Sequence, residues 1–469
     1  MKKSSVTLFI LLILTGLVNL AHAEITLPAI FCNHMVLQQQ SEVLLWGDAV
    51  PEKKVKVSTS WNNQKYTTIA DNSGNWKLRV KTPKAGGPYE ITISDGTPIT
   101  SSDVLIGEVW VCSGQSNMQM PMKGKLNQPI LNSNKTIAMS ENANIRLFSV
   151  RQNKHLKPQT NFNGKWEECT PEIVSEFSAT AYFFGRMIQQ NLDVPVGLIS
   201  SNWGGTPIEA WMSGSGLAPF DWIKVPDEND QFSQRSPTAL FNAMISPMLG
   251  YGIQGVIWYQ GEANRMKPKE YEQLLPALIS DWRNLWQLGD FPFYYAQIAP
   301  FKYKGGLNSA FLREAQLKAS TVLPHSGMAC LLDVGEENCI HPANKEAAGE
   351  RLAYLALANT YGKTGFASSG PVFKEMTIKG SQVSLTFDYA ENGLSTFGKS
   401  LDNFKVAGEN QEFYPATTKI TKTGVVVSSE FVKKPVAVRY AFEDFVVGTL
   451  FNIEGLPASS FRTDDWEIK

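Results

Sequence analysis

Between Glu24 and about Ser102 the chain carries short runs in which apolar residues recur at alternate positions, such as "EVLLWG", "KVKVSTSW", "WKLRV" and "YEITISDG". Turn-forming stretches such as "DNSGN" and "KAGGP" separate them. Period-two alternation broken by Gly, Asn and Pro at short spacing predicts a β-sandwich. From about Asp103 to Phe366 the rhythm changes. Apolar runs, "VLIGEVWV", "VPVGLISS", "GVIWYQ", "FPFYYAQIA" and "GMACLLDVG", now alternate with segments of helical period. Those segments are "ATAYFFGRMIQQN", "SPTALFNAMISPML", "KPKEYEQLLPALISDWRNLW", "NSAFLREAQLKAST" and "NKEAAGERLAYLALANTYG". Ser236-Pro237 reads as a helix cap followed by a first-turn proline, and Pro276 as a kink. Strands alternating with helices predict an α/β domain, a parallel sheet covered by helices on both faces. Farther on, "EMTIKGSQVSLTF", "GVVVSSE" and "VAVRYAF" return to strand signals and predict a second β module.

The first 23 residues follow another pattern. Lys2 and Lys3 form a basic start, Val6 to Val18 is mostly apolar, and Ala21-His22-Ala23 fits a small-x-small cleavage site. That is the form of a secretory signal peptide; the apolar run is short for a bilayer span, which takes about 20 residues. The chain thus reads as a signal peptide (1–23), an N-terminal β-sandwich domain (24–102), an α/β domain (103–366) and a C-terminal β module (367–469), exported to the periplasm or the cell exterior. A formal net charge of −1 with no basic patch makes nucleic acid and anionic membranes poor partners. The five cysteines show no C-x-x-C spacing, and an odd number leaves at least one without an intramolecular partner. Cys112 and Cys330 lie in apolar runs and read as buried small hydrophobes. No ligand cluster is evident, so neither a metal nor an organic cofactor is implied.

In a parallel sheet, ligands bind beyond the carboxyl ends of the strands. Four polar groups follow predicted strand ends: Ser116 after "GEVWV", "NWGGTPIEAW" after "GLISS", "YQGEAN" after "GVIW", and "DVGEENCIHPANK" after "ACLL". A serine nucleophile needs a base, and histidine suits that work near neutral pH. His34 falls in the β domain, His155 in a polar stretch, and His325 before its strand, at the wrong end of the sheet. Only His341 follows a strand end and precedes a helix. Gly204 and Gly205 offer backbone N–H groups to an oxyanion, and Gln260 and Asn264 offer amides. Trp203 and Asn264, at the same rim, are candidates for substrate binding.

The usual α/β-hydrolase elbow is G-x-S-x-G, and Met118 at its last position disfavours that fold. "GQSNM", "NWGGTPIEAW", "WYQGEAN" and "IHPANK" instead resemble the four blocks of the SGNH hydrolase superfamily, and more narrowly its sialate O-acetylesterase branch. "LPAIFCNHMVLQQ" and "VRYAFEDFVVGTLFNIEGLPASSFRTD" resemble that branch too, so the likeness extends over most of the chain. It implies a flavodoxin-like SGNH sheet flanked by β-sandwich-like modules. It also implies Ser116 as nucleophile, His341 as base, and an oxyanion hole of the Ser116 N–H, a glycine of Gly204-Gly205 and the Gln260 side chain. The substrate would be an O-acetylated sialic acid; acetylated polysaccharide such as xylan is the rival, and a non-catalytic glycan-binding protein the reading from another class. Relatives often carry an aspartate two or three residues before the histidine, where this chain has Asn338 and Cys339. Asp333, Glu336, Glu337 or a backbone carbonyl is left to orient His341. Asp333, at the expected strand end, is the preferred candidate, with a turn-capping role as its alternative.

Overall fold

The strand Pro98–Gly114 organises the molecule. The computed structural model describes residues 25–467; the signal-peptide reading lies outside them. The first half of this 17-residue strand pairs antiparallel with Gly86–Ser94, and its middle pairs parallel with Val36–Gln38. Its second half, from Glu108, pairs parallel with Val196–Asn202 and Gly255–Tyr259. The N-terminal β region and the central sheet therefore share a strand, and the expected junction at residues 102–103 falls inside it.

The central sheet runs in the order Ser326–Ala329, Phe293–Ala296, Gly255–Tyr259, Pro98–Gly114, Val196–Asn202, Asn142–Ser149, Trp166–Cys169. Neighbours are parallel except for the last strand, which is antiparallel to Asn142–Ser149. Side chains alternate between faces along a strand. Val109 and Val111 enter one core with Leu274, Leu278, Trp282 and Leu312. Trp110 and Cys112 enter another with Phe183, Phe184, Leu352 and Ala356. Helices Pro268–Trp286 and Ala310–Ala319 thus cover one face, and Ala179–Leu192 and Lys345–Asn359 the other. This is the doubly covered α/β sheet that the alternating pattern predicts.

Two local expectations fail. Ser236-Pro237 does not open a helix, because Thr238 takes a left-handed φ of 65°. Instead a π-helical turn covers Phe241–Ile245, followed by a 3-10 turn at Ser246–Met248. Its Asn242 amide is spent on the carbonyls of His155 and Leu156. The run "GMACLLDVG" is a strand only over Ser326–Ala329. Leu331 then packs into the core that holds Trp110 and Cys112, and Leu332 into the C-terminal core, so apolarity beyond Ala329 marks a junction between modules.

The C-terminal module has two four-stranded antiparallel sheets. Val372–Lys379, Gln382–Asp388, Gly424–Ser428 and Thr417–Thr421 form one; Phe413–Pro415, Phe404–Ala407, Ala437–Tyr440 and Phe461–Arg462 form the other. Val383, Leu385, Val425, Phe404, Val406 and Val438 fill the space between them. All five cysteines are free; Cys112 is buried and Cys330 half-buried. No helix among the described residues is long and apolar enough to cross a membrane.

One ligand-type cluster that the sequence did not reveal forms near the start of the central sheet. His34 Nδ1 lies 2.6 Å from Asp103 Oδ2, and Glu168 approaches the same point. The buried Arg146 guanidinium, 2.9 Å from Asp103 and 3.8 Å from Glu168, already supplies the positive charge these carboxylates require.

Candidate active site

The strand Pro98–Gly114 ends against its neighbour so tightly that a Cβ on Gly114 would lie 2.2 Å from the Tyr259 carbonyl oxygen. Only glycine permits that approach, and Gly114 also takes a φ of 137°. The chain turns at once into the short helix Ser116–Gln119, anchored by Gln115 N–H donating to Tyr259 O at 3.0 Å. Ser116 is half-buried at the helix start, where a backbone N–H has no intrahelical acceptor.

Gly204 faces the serine: a Cβ there would lie 3.2 Å from Ser116 Cβ and 3.1 Å from Gln119 Oε1. Its N–H donates to Gln119 Oε1 at 2.8 Å. The loop thus places a backbone donor beside the serine, capped by a neutral side chain. Gly205 is exposed, with its carbonyl accepting from the Arg235 guanidinium. Trp203 is half-buried between them and the sheet, its N–H on Gly114 O at 3.1 Å.

His341 reaches the same place by way of Asn117. The Asn117 amide donates to Ile340 O at 3.1 Å, which joins the residue after the serine to the residue before the histidine. His341 Nδ1 meets Gln128 Oε1 at 2.9 Å. An amide oxygen only accepts, so Nδ1 carries the proton and Nε2 keeps the free lone pair a general base needs. Burial, with Lys345 and Lys125 adding repulsion, lowers the His341 pKa to about 4. The imidazole is therefore uncharged through the neutral range.

Two expected members of the site lie elsewhere. Asp333 does not orient His341: both its oxygens grip Arg351, at 2.6 and 2.7 Å, and the pair is largely buried. The early end of the strand at Ala329 is the reason, since it leaves Asp333 past the rim, against the helix Lys345–Asn359. Gln128, from the loop after Gly124, takes the place beside His341; it was invisible in the sequence, lying 213 positions away. Gln260 is not an exposed oxyanion donor. It is fully buried, donating to Thr206 O at 3.2 Å and Asn264 Oδ1 at 2.7 Å, while Tyr271 OH donates to its oxygen at 3.0 Å. Asn264, also buried, donates to Glu209 at 2.9 Å and accepts from Ile208 N–H at 2.9 Å. Gln260 and Asn264 therefore brace the loop that carries Gly204 and Gly205 from behind.

A parallel sheet of this order, with the serine turn and the histidine loop meeting at its carboxyl edge, defines an SGNH-type hydrolase. Comparison with known proteins narrows the class. The model of the family described as carbohydrate esterase, sialic acid-specific acetylesterase, matches residues 106–354, just over half of the chain. The chain belongs to that family and is an esterase. It is 30% identical to the sialate O-acetylesterase of Homo sapiens, over 76% of this chain and 75% of that one. With the sialate O-acetylesterase of Mus musculus it shares 29% identity over 87% of this chain and 88% of that one. The crystal structure of a carbohydrate acetylesterase from Xanthomonas citri, 36% identical, superposes with a TM-score of 0.86 over 94% of this chain and 100% of that one.

Proposed function

We propose that the protein is an exported carbohydrate O-acetylesterase that removes acetyl groups from sialic acids through a serine acetyl-enzyme. The observation that carries this reading is the Asn117–Ile340 hydrogen bond, which seats the His341 loop on the Ser116 turn. Ser116 Oγ attacks the acetyl carbonyl while His341 Nε2 takes its proton. The oxyanion displaces Gln119 Oε1 and accepts from the Gly204 and Ser116 N–H groups. His341 returns the proton to the departing sugar oxygen. Water, deprotonated by the same nitrogen, then attacks the acetyl carbonyl and frees Ser116.

The charge at the rim favours an anionic sugar over a neutral one. Arg235, exposed, is held to the Gly205 carbonyl next to Gly204. Lys125, also exposed, is near enough to His341 to depress its pKa. Neither makes a salt bridge among the described residues. Cations on both sides of an acetyl site complement the carboxylate of a sialic acid, whereas the acetylated xylose units of a xylan backbone carry no charge to meet them. Acetate release from O-acetylated sialic acids and from acetylated xylan, measured side by side, tests the substrate. A faster reaction on xylan that is insensitive to salt overturns the sialate reading. Export rests on the pattern of residues 1–23; N-terminal sequencing of the protein from fractionated cells should find a chain beginning at Glu24, and an intact Met1 in the cytoplasm refutes it.

A further inference from the structure

The residue after the nucleophile is wired into a buried charge pair that the reaction scheme leaves unused. Asn117 is 1% exposed. Besides holding Ile340 O, its Nδ2 donates to Glu262 Oε1 at 2.5 Å, and its Oδ1 accepts from Lys345 Nζ at 2.5 Å. Lys345 is itself 1% exposed, opens the helix Lys345–Asn359, and lies 5.8 Å from the centre of the Tyr259 ring. The second oxygen of Glu262 is buried with no hydrogen-bond partner among the described residues. Asn117 therefore bridges an ammonium and a carboxylate that do not touch.

Burying such a pair is a poor way to stabilise a fold, since apolar side chains of similar size commonly do as well or better. Its place gives it another use. The bridge ends on the two segments that must meet for catalysis, the Ser116 turn and the His341 loop. We propose that Glu262, Asn117 and Lys345 form a positioning relay, which locks those segments together and keeps a cation behind the imidazole so that His341 waits uncharged. This rests on the reading of Ser116 and His341 as nucleophile and base.

The charges around the relay support that assignment. Lys345 and Lys125 are the cations that act on His341, and Gln128 is its neutral partner at Nδ1. Glu262, Cys339 and Glu336 act on Lys345. Burial outweighs these partners and lowers the Lys345 pKa to about 7, still well above that of His341. Across the acid range where His341 titrates, Lys345 is therefore charged, and its repulsion holds the imidazole in the basic form. Removing the ammonium must then let His341 protonate at higher pH.

The test is the pH profile of kcat/KM on a small neutral acetyl ester, for Lys345→Met and for the double variant Glu262→Gln/Lys345→Met. The double variant leaves no lone buried charge and safeguards against misfolding of the single one. In both, the acid limb should move up by about one pH unit or more, and kcat should fall about tenfold with KM little changed. A purely structural role lowers the melting temperature and leaves the limb in place. An acid limb within about 0.3 unit of wild type in the folded double variant overturns the proposal. Ser116→Ala, assayed in parallel, separates the two claims: if it keeps its activity, the reading of the site has failed rather than the relay.

Discussion

Gln128 and Gln260 are the same kind of side chain in two neighbouring regions, and the fold employs them in opposite ways. Gln128 comes from a surface loop and spends its oxygen on one atom, His341 Nδ1. Gln260 follows a central strand, is fully buried, and has both ends of its amide engaged by Thr206, Asn264 and Tyr271. The front of the site is sparsely bonded: the Ser116 N–H is free of its helix, and among the described residues the Gly204 N–H is held by Gln119 alone. The back is saturated. A saturated amide has nothing left to offer a transition state, whereas a sparsely bonded group does. Position at a strand end alone does not distinguish the two.

The sharpest break between front and back is the histidine. His341→Ala should lower kcat by about 10³-fold or more with folding intact, as removal of a catalytic partner does. His155→Ala and His325→Ala should keep activity within about threefold of wild type. An inactive His325 variant places the base at the wrong edge of the sheet. Gln128→Ala should come next, lowering kcat about tenfold or more by releasing the imidazole to the wrong tautomer; an unchanged kcat removes Gln128 from the mechanism.

For the back wall the order of effects inverts. Gln260→Ala should cost about 1–3 kcal/mol of stability, because it strands the buried Asn264 and Tyr271 groups, and reach kcat only through a loosened Gly204 loop. A kcat loss with no change in melting temperature restores Gln260 to the oxyanion hole. Asp333→Asn should do least to the chemistry, breaking the two-bond grip on Arg351 and lowering the melting temperature while kcat stays within about threefold. A large kcat loss there makes Asp333 part of the catalytic apparatus after all.

The sheet and its rim were legible in the sequence because they rest on periodicity. Val109 and Val111 alternate with Trp110 and Cys112 between two cores, and the polar groups after four apolar runs mark where strands end. The placement of Ser116, Gly204 and His341 beyond strand ends could be read from that. Asp333 misled because Leu331 and Leu332 extend the apolar run past the true strand end, and they do so to fill two different cores. Gln128 and Lys345 were missed because their roles depend on contacts 213 and 228 positions away. Neither residue type signals such a role; a lysine at a helix start reads as solvent-facing. Gln260 was read by its neighbours' motif, which locates a strand end but not the direction of a side chain.

The proposed roles of Ser116 as nucleophile and His341 as its base are tested most directly by a serine-directed fluorophosphonate followed by peptide mass spectrometry. The reagent should form one adduct, on the peptide that contains Ser116, with concurrent loss of esterase activity and much slower labelling in His341→Ala. Complete inactivation with the adduct on another residue, or full activity with Ser116 labelled, would contradict it.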